Sequence, residues 1–181
     1  MLILTPPFPF IPSEFRLKLA TEPWELQACA SLRQAVFCAE QGIFSNDDRD
    51  EIDSVAIHIV AIACVLGMPD ELVGTVRIHD RDPDVWQGSR LTVHRDFRRV
   101  ASLGTELIYH AVATAHARGC RRFLATVQQQ NVEMFRRLHW RSLEEIMLHG
   151  HPHHFMQADL EFYPPRTQDE VGLITSLRHA A

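Results

Sequence analysis

The chain has 181 residues, 46% of them apolar and 23% charged, and 18 Lys and Arg against 23 Asp and Glu give a formal charge of −5. That length suits one domain with a sizeable core, and the acidic balance argues against nucleic acid, which needs a clustered basic surface to neutralise phosphate. The first 15 residues lack a basic region and are broken by prolines, which excludes a signal peptide, and no stretch reaches the ~18 apolar residues of a membrane span, so a cytoplasmic location is the default expectation.

In chain order, residues 1–14 read as an extended Pro-rich arm, 15–163 as the domain, and 164–181 as a tail that could be a short docking helix, a linker or disordered. Alternation over Phe15–Leu19 predicts a strand. Thr21 offers an N-cap and Pro23 an early helical position for a helix whose face carries Leu26, Cys29, Ala30, Leu32, Arg33, Val36 and Phe37. Glu40–Asp53 is acidic, with Gly42 and Asn46 as breakers, and reads as a loop with at most a short helical turn. Two β-rich runs, His58–Val65 and Glu71–His79, joined by Gly67, Met68, Pro69 and Asp70, give a hairpin signal. Asp80–Gly88 reads as a polar loop and Ser89–Val93 as the fourth strand. Leu103–Arg118 is a strong amphipathic helix ended by Gly119. Arg122–Val127 is a buried-type strand, Val132–His139 a short helix, and Leu143–Leu148 with Phe155–Phe162 two closing strands around a break at Gly150 and Pro152. The order describes an α/β fold with a sheet of mixed direction and helices on its faces.

The four cysteines, Cys29, Cys38, Cys64 and Cys120, lie far apart and read as reduced thiols. The informative stretch is 91–108, LTVHRDFRRVASLGTELI: a strand ends, a basic turn follows, and a helix begins at once. A helix N-terminus presents unpaired N–H groups and a partial positive charge. Small residues there (Ala101, Ser102, Gly104, Thr105) let an anion approach, and Arg98 and Arg99 add fixed charge. The residues alone leave two readings open: a pyrophosphate cradle, or a plain strand-to-helix turn with solvated arginines. The glycine spacing is not that of a dinucleotide fingerprint.

RVASLG over 99–104 resembles the acyl-CoA signature [Q/R]-x-x-G-x-[G/A] of the GNAT superfamily, with Ser102 in place of its first glycine. NVEMFRRLHW over 131–140 is similar to the family's N-x-x-x-[F/Y]-x-x-x-G-F segment, and LRQAVFCAEQG over 32–42, the acidic Asp50, Glu51 and Asp53, His58, VGTVRI over 73–78 and PHHFM over 152–156 resemble one branch close to acyl-homoserine lactone synthases. The resemblance spans about residues 15–162. It implies an α/β GNAT fold: a central mixed, mostly antiparallel sheet with a splayed parallel strand pair, 89–93 and 122–127, and helices on both faces. It implies acetyl-CoA (or another acyl-CoA) as co-substrate, its pyrophosphate held by Arg98, Arg99 and the Val100, Ala101, Ser102, Leu103, Gly104 and Thr105 backbone. Leu91, Thr92 and Val93 would bond the pantetheine arm, with Asn131 and Phe135 on the far side of the splay. Phe135 stands where many relatives carry a tyrosine acid, and His139 replaces a glycine.

Acyl transfer to an amine needs a proton acceptor and a polarised carbonyl. Glu40, just after the helix facing the acceptor side, is the first choice for base or amine-binding residue, and Asp53, with His58, is singled out of the acidic run. Arg33 and Arg77, among apolar neighbours, would need carboxylate partners if buried, and Asp50 and Asp53 are at hand. His149, His151, His153 and His154 look like a metal cluster, but Gly150 and Pro152 interrupt them, and no metal is expected. His153 or His154 lining the acceptor pocket is the more useful hypothesis. The expected activity is N-acetyl transfer from CoA to a primary amine of a small molecule by direct attack in a ternary complex, without nucleic acid or membrane, a homodimer being compatible. The alternatives are a long-chain acyltransferase like the acyl-homoserine lactone synthases and a non-catalytic acyl-CoA-binding module.

Overall fold

The structure is a computed structural model, and it describes residues 12–100 and 102–174. The Pro-rich arm up to residue 11 and Ala101 lie outside the described residues. Eight strands form one sheet: β1 Glu14–Leu19, β2 Ile57–Val65, β3 Met68–Asp82, β4 Val85–Val93, β5 Arg122–Gln128, β6 Trp140–Leu148, β7 His151–Ala158 and β8 Glu170–Ile174. Their order is β6-β7-β5-β4-β3-β2-β1-β8, and every pairing is antiparallel except β4 with β5. Three helices, α1 Pro23–Arg33, α2 Leu103–Ala117 and α3 Val132–Arg137, complete the α/β fold.

The helices flank the sheet on opposite sides because β2 is buried on both faces. Its Ile59, Ala61 and Ala63 join the core under α2, with Leu103, Leu107, Ala111 and Val112. Its alternate residues Val60 and Ile62 pack with Cys29, Leu32, Val36 and Phe37 on the α1 side. α1 is capped by Glu22, not Thr21, through a reciprocal pair with Glu25, and Pro23 follows at the first helical position. Leu26, placed on the buried face by its spacing, is exposed. α1 runs on as a π-helical stretch, Gln34–Glu40, so the Gln41 amide reaches the Val36 carbonyl at 2.9 Å. None of the helices among the described residues is long and apolar enough to cross a membrane.

Several boundaries differ from the sequence reading. Residues 80–88 are not a loop: β3 runs to Asp82, β4 starts at Val85, and Asp84 turns the chain at φ 63°. These strand ends are largely exposed, so no apolar alternation marks them. The β2–β3 turn is Leu66-Gly67, both left-handed, and Met68–Asp70 already belong to β3. Pro152 does not break β7; the turn is His149-Gly150, again both left-handed, and the strand ends at Ala158, before a short helical turn at Leu160–Phe162. Glu170–Ile174 of the tail adds an edge strand on β1.

Candidate active site

β4 pairs with β5 only from Val85–Arg122 to Gly88–Ala125. Past that point both strands continue but separate, leaving a gap bounded by Leu91–Val93 on one side and Thr126–Gln128 on the other. The cause is a β-bulge. From Thr75 to Arg77 on β3 the partner positions on β4 run from Thr92 to Ser89, one residue more, and Arg90 takes a left-handed φ of 56°. Gly88, where pairing ends, leaves little room for a side chain, since a Cβ there would meet the Phe123 ring at 3.0 Å and the ring would have to shift.

Two cavities meet at this gap. The first, about 310 Å³, enters beneath α2 and is lined by apolar residues including Val76, Ile108, Val112, Phe123, Phe135 and Trp140, with Asp50, Arg77, His79 and Arg90 among its polar residues. The second, about 680 Å³, is a groove lined by Leu91, Thr92, Val93, Arg98, Gly104 and Asn131, and it also carries Glu40. Of the residues expected from the sequence, these six share one groove, while Leu91, Asn131 and Phe135 border the inner cavity. Arg99, Val100, Ser102, Leu103 and Thr105 line neither cavity. Arg99 is exposed and forms no ion pair among the described residues, whereas Leu103 is buried in the core. Gly104 faces open space: an added Cβ would meet only Val93 Cγ2, at 3.9 Å. Ser102 sits at the N-cap of α2 with φ 53°, which is why glycine suits that position.

The two expected catalytic carboxylates are both ion-paired. Glu40 accepts two bonds of 2.7 Å from Arg98, whose Nε also donates to the Val93 carbonyl at 3.1 Å. The Arg98 hydrogen bond lowers the Glu40 pKa. Asp53 lies outside both cavities, in a network with Arg33 (2.5 Å) and Arg77 (2.9 Å), and 3.7 Å from His58. Burial pushes its pKa up, but the hydrogen bonds from Arg33 and the Asp50 backbone outweigh it and hold the carboxyl well below the usual range. A carboxylate so held is a poor proton acceptor at neutral pH. Asp48 and Asp50 extend the network. Asp48 is fully buried and takes Arg33 at 2.8 Å and Arg90 at 2.8 Å, and Asp50 takes Arg77 at 2.5 Å and Arg90 at 3.2 Å. The Arg90 guanidinium also lies 4.7 Å over the Phe44 ring. Asp48, Asp50 and Asp53 of the acidic run are therefore the partners of three arginines, while Asp47 pairs with Arg49.

The histidines of the last hairpin diverge. His154 bonds Ser142 at 2.7 Å and Gln129 at 2.8 Å, His149 packs edge-on to Phe44, and His153 borders both cavities. Among the described residues no cluster could hold a metal ion. Phe135 and Trp140 pack edge to face at 5.0 Å, and His139 takes the glycine's place at φ 63° by stacking on Phe162 at 3.9 Å. Burial lifts the Cys29 thiol to about 11, which keeps it protonated at neutral pH. Gln41, Gln128 and Arg90 were not foreseen; Arg90 depends on a left-handed non-glycine residue that no local signal announces.

Residues 23–140 match the sequence profile of the Acetyltransferase (GNAT) family. The chain belongs to the GNAT family. This GNAT protein, an acyltransferase, also shares its fold with solved structures. A putative N-acetyltransferase from Lactobacillus plantarum superposes with a TM-score of 0.71 at 21% identity, over 80% of this chain and 97% of that one. An acyl-CoA N-acyltransferase from Pseudomonas aeruginosa gives 0.65 at 21%, over 80% and 98%. The acyl-homoserine lactone synthase LasI gives 0.65 at 11%, over 85% and 96%. A comparison with curated protein sequences finds no match.

Proposed function

We propose that this GNAT protein transfers an acyl group, acetyl on the family resemblance, from acyl-CoA to the primary amine of a small molecule by direct attack in a ternary complex. The observation that carries the reading is the gap between β4 and β5, because it leaves the β4 edge over Leu91–Val93 without a β5 partner, with Arg98 on the Val93 carbonyl. An extended pantetheine arm would pair with them as an added strand. The N-terminus of α2 and Arg99 would take the pyrophosphate, and Gly104 would let it close on the backbone. A strand N–H would polarise the thioester carbonyl, and Asn131 would contact the arm from the α3 side.

One observation favours a longer acyl group. The inner cavity is apolar beneath α2 and continuous at Leu91 and Asn131 with the groove, and closed cores rarely keep such space empty. Calorimetric titration with acetyl-, hexanoyl- and decanoyl-CoA and with free CoA tests both readings. Saturable binding of all four, without gain from chain length, supports acetyl transfer. Affinity that rises with length, and a gain that Ala111→Leu removes by filling the cavity, supports the longer chain. Binding without thiol release across an amine screen would mean a binding module, and no binding would overturn the cofactor site.

A further inference from the structure

Transfer to an amine needs a group that accepts a proton as the C–N bond forms and a proton source for the departing sulfur. The carboxylates nearest the gap are ion-paired: Glu40 with Arg98, Asp50 with Arg77 and Arg90, and Asp53 with Arg33 and Arg77. Phe135 carries no hydroxyl. Among residues that line both the groove and the inner cavity, only His149 and His153 carry a side chain that can exchange a proton. His149 is an exposed residue of the hairpin turn, whereas His153 is 6% exposed. His79 borders the inner cavity alone.

The His153 ring is held in one tautomer. Its Nδ1 lies 2.9 Å from the His151 carbonyl oxygen. A carbonyl only accepts, so Nδ1 carries the hydrogen in the neutral ring and the lone pair belongs to Nε2. Nε2 makes no hydrogen bond among the described residues. β7 pairs His153 with Gln128, which sets the ring on the β5 side of the gap, across from Leu91–Val93. The titratable and charged groups facing this junction are His149 and His151 of the same hairpin, the Glu40–Arg98 pair, the Asp50–Arg77–Arg90 network and His79 on β3.

We propose that His153 Nε2 is the proton-transfer group of the reaction, an inference that rests on the acyl-transfer reading. The amine nitrogen attacks the thioester carbonyl carbon, and the C=O π pair moves to oxygen as the C–N bond forms. His153 Nε2 takes the proton that the nitrogen sheds. The oxygen pair then re-forms the carbonyl, the C–S bond breaks with its pair on sulfur, and the imidazolium returns that proton to the thiolate. Amide and free CoA thiol leave, and the ring is neutral again. Nδ1–H stays on the His151 carbonyl throughout, which keeps the ring aimed at the junction.

The test is thiol release from acetyl-CoA above the enzyme-free rate, with an alkyl primary amine returned by the amine screen as the acceptor, in the wild type and in His153→Gln and His153→Ala, beside calorimetric binding of acetyl-CoA. Both variants should bind acetyl-CoA within about threefold of wild type and lose on the order of 100-fold in turnover. The ascending limb of the pH profile should vanish, and free imidazole should restore part of the His153→Ala rate. Because His153 is buried, a second measurement uses the wild type: acylation of His153 by diethyl pyrocarbonate, mapped by mass spectrometry, should be blocked by acetyl-CoA. Turnover within threefold in His153→Gln with its pH limb intact, or acylation unaffected by acetyl-CoA, would overturn the assignment while leaving the acyltransferase reading in place. A wild type that binds no acyl-CoA would overturn both.

Discussion

Ser102 and Gly104 divide between them what two glycines do in the family signature. At Ser102 the requirement is conformational: the residue sits left-handed at φ 53°, where a side chain costs about 1 kcal/mol relative to glycine. At Gly104 the requirement is space outside the fold, since a Cβ there meets only Val93 Cγ2. Ser102→Gly should raise unfolding free energy by about 1 kcal/mol in urea titration and tighten acetyl-CoA binding several-fold. Gly104→Val should leave the melting temperature within a few degrees and weaken acetyl-CoA by more than about tenfold. Unchanged affinity in the valine variant would remove the phosphate site from the α2 N-terminus. The signature was legible because it is a contiguous string. The Glu40–Arg98 pair joins residues 58 apart, and nothing in the sequence announced that Glu40 would be held by Arg98.

At the level of elements, the acidic segment is tied to the bulged strand by charge. Arg33 leaves α1, Arg77 leaves β3 and Arg90 leaves the bulge, and all three converge on Asp48, Asp50 and Asp53. The sequence allowed part of this, because arginines in apolar surroundings demand carboxylates. It did not allow β4, whose first residues are half-exposed, or β8, an edge strand with a glycine at its centre. Period-two alternation needs one buried face, and those strand ends lack it. Arg33→Ala should cost about 3–5 kcal/mol, since it leaves the fully buried Asp48, whose Oδ1 already lacks a partner, with one fewer cation. Urea unfolding measures it, and a loss under about 1 kcal/mol would mean that water solvates the network. Widened acyl-CoA selectivity in the same variant would show that the network also shapes the inner cavity.

Across the whole molecule, the packed cores and the candidate site share one sheet. The two cores on either side of β2 hold the fold, and the single parallel contact is where the sheet opens. The buried histidines and the ion-paired carboxylates are shifted in one direction, downward. Burial lowers the pKa of His58, His79 and His110, so below about pH 6.5 the unfolded chain binds protons that the folded one refuses. Their stabilising effect is full above that value and fades as pH falls through it. Burial pushes Glu25 and Asp53 up, but hydrogen bonds overcome it, and both are lowered; Asp50 is lowered chiefly by its hydrogen bonds from Arg77. Their contribution is full above the unfolded carboxylate range near 4 and is lost as pH falls through the lower folded values. The melting temperature should therefore fall in two stages from pH 7, a shallow one between about 6.5 and 5 and a steeper one below about 4. His110→Gln, deep in α2 and away from both cavities, should flatten the first stage, and Asp53→Asn the second at the expense of stability at pH 7. A melting temperature constant from pH 7 to 5 would mean that the buried histidines reach solvent when protonated.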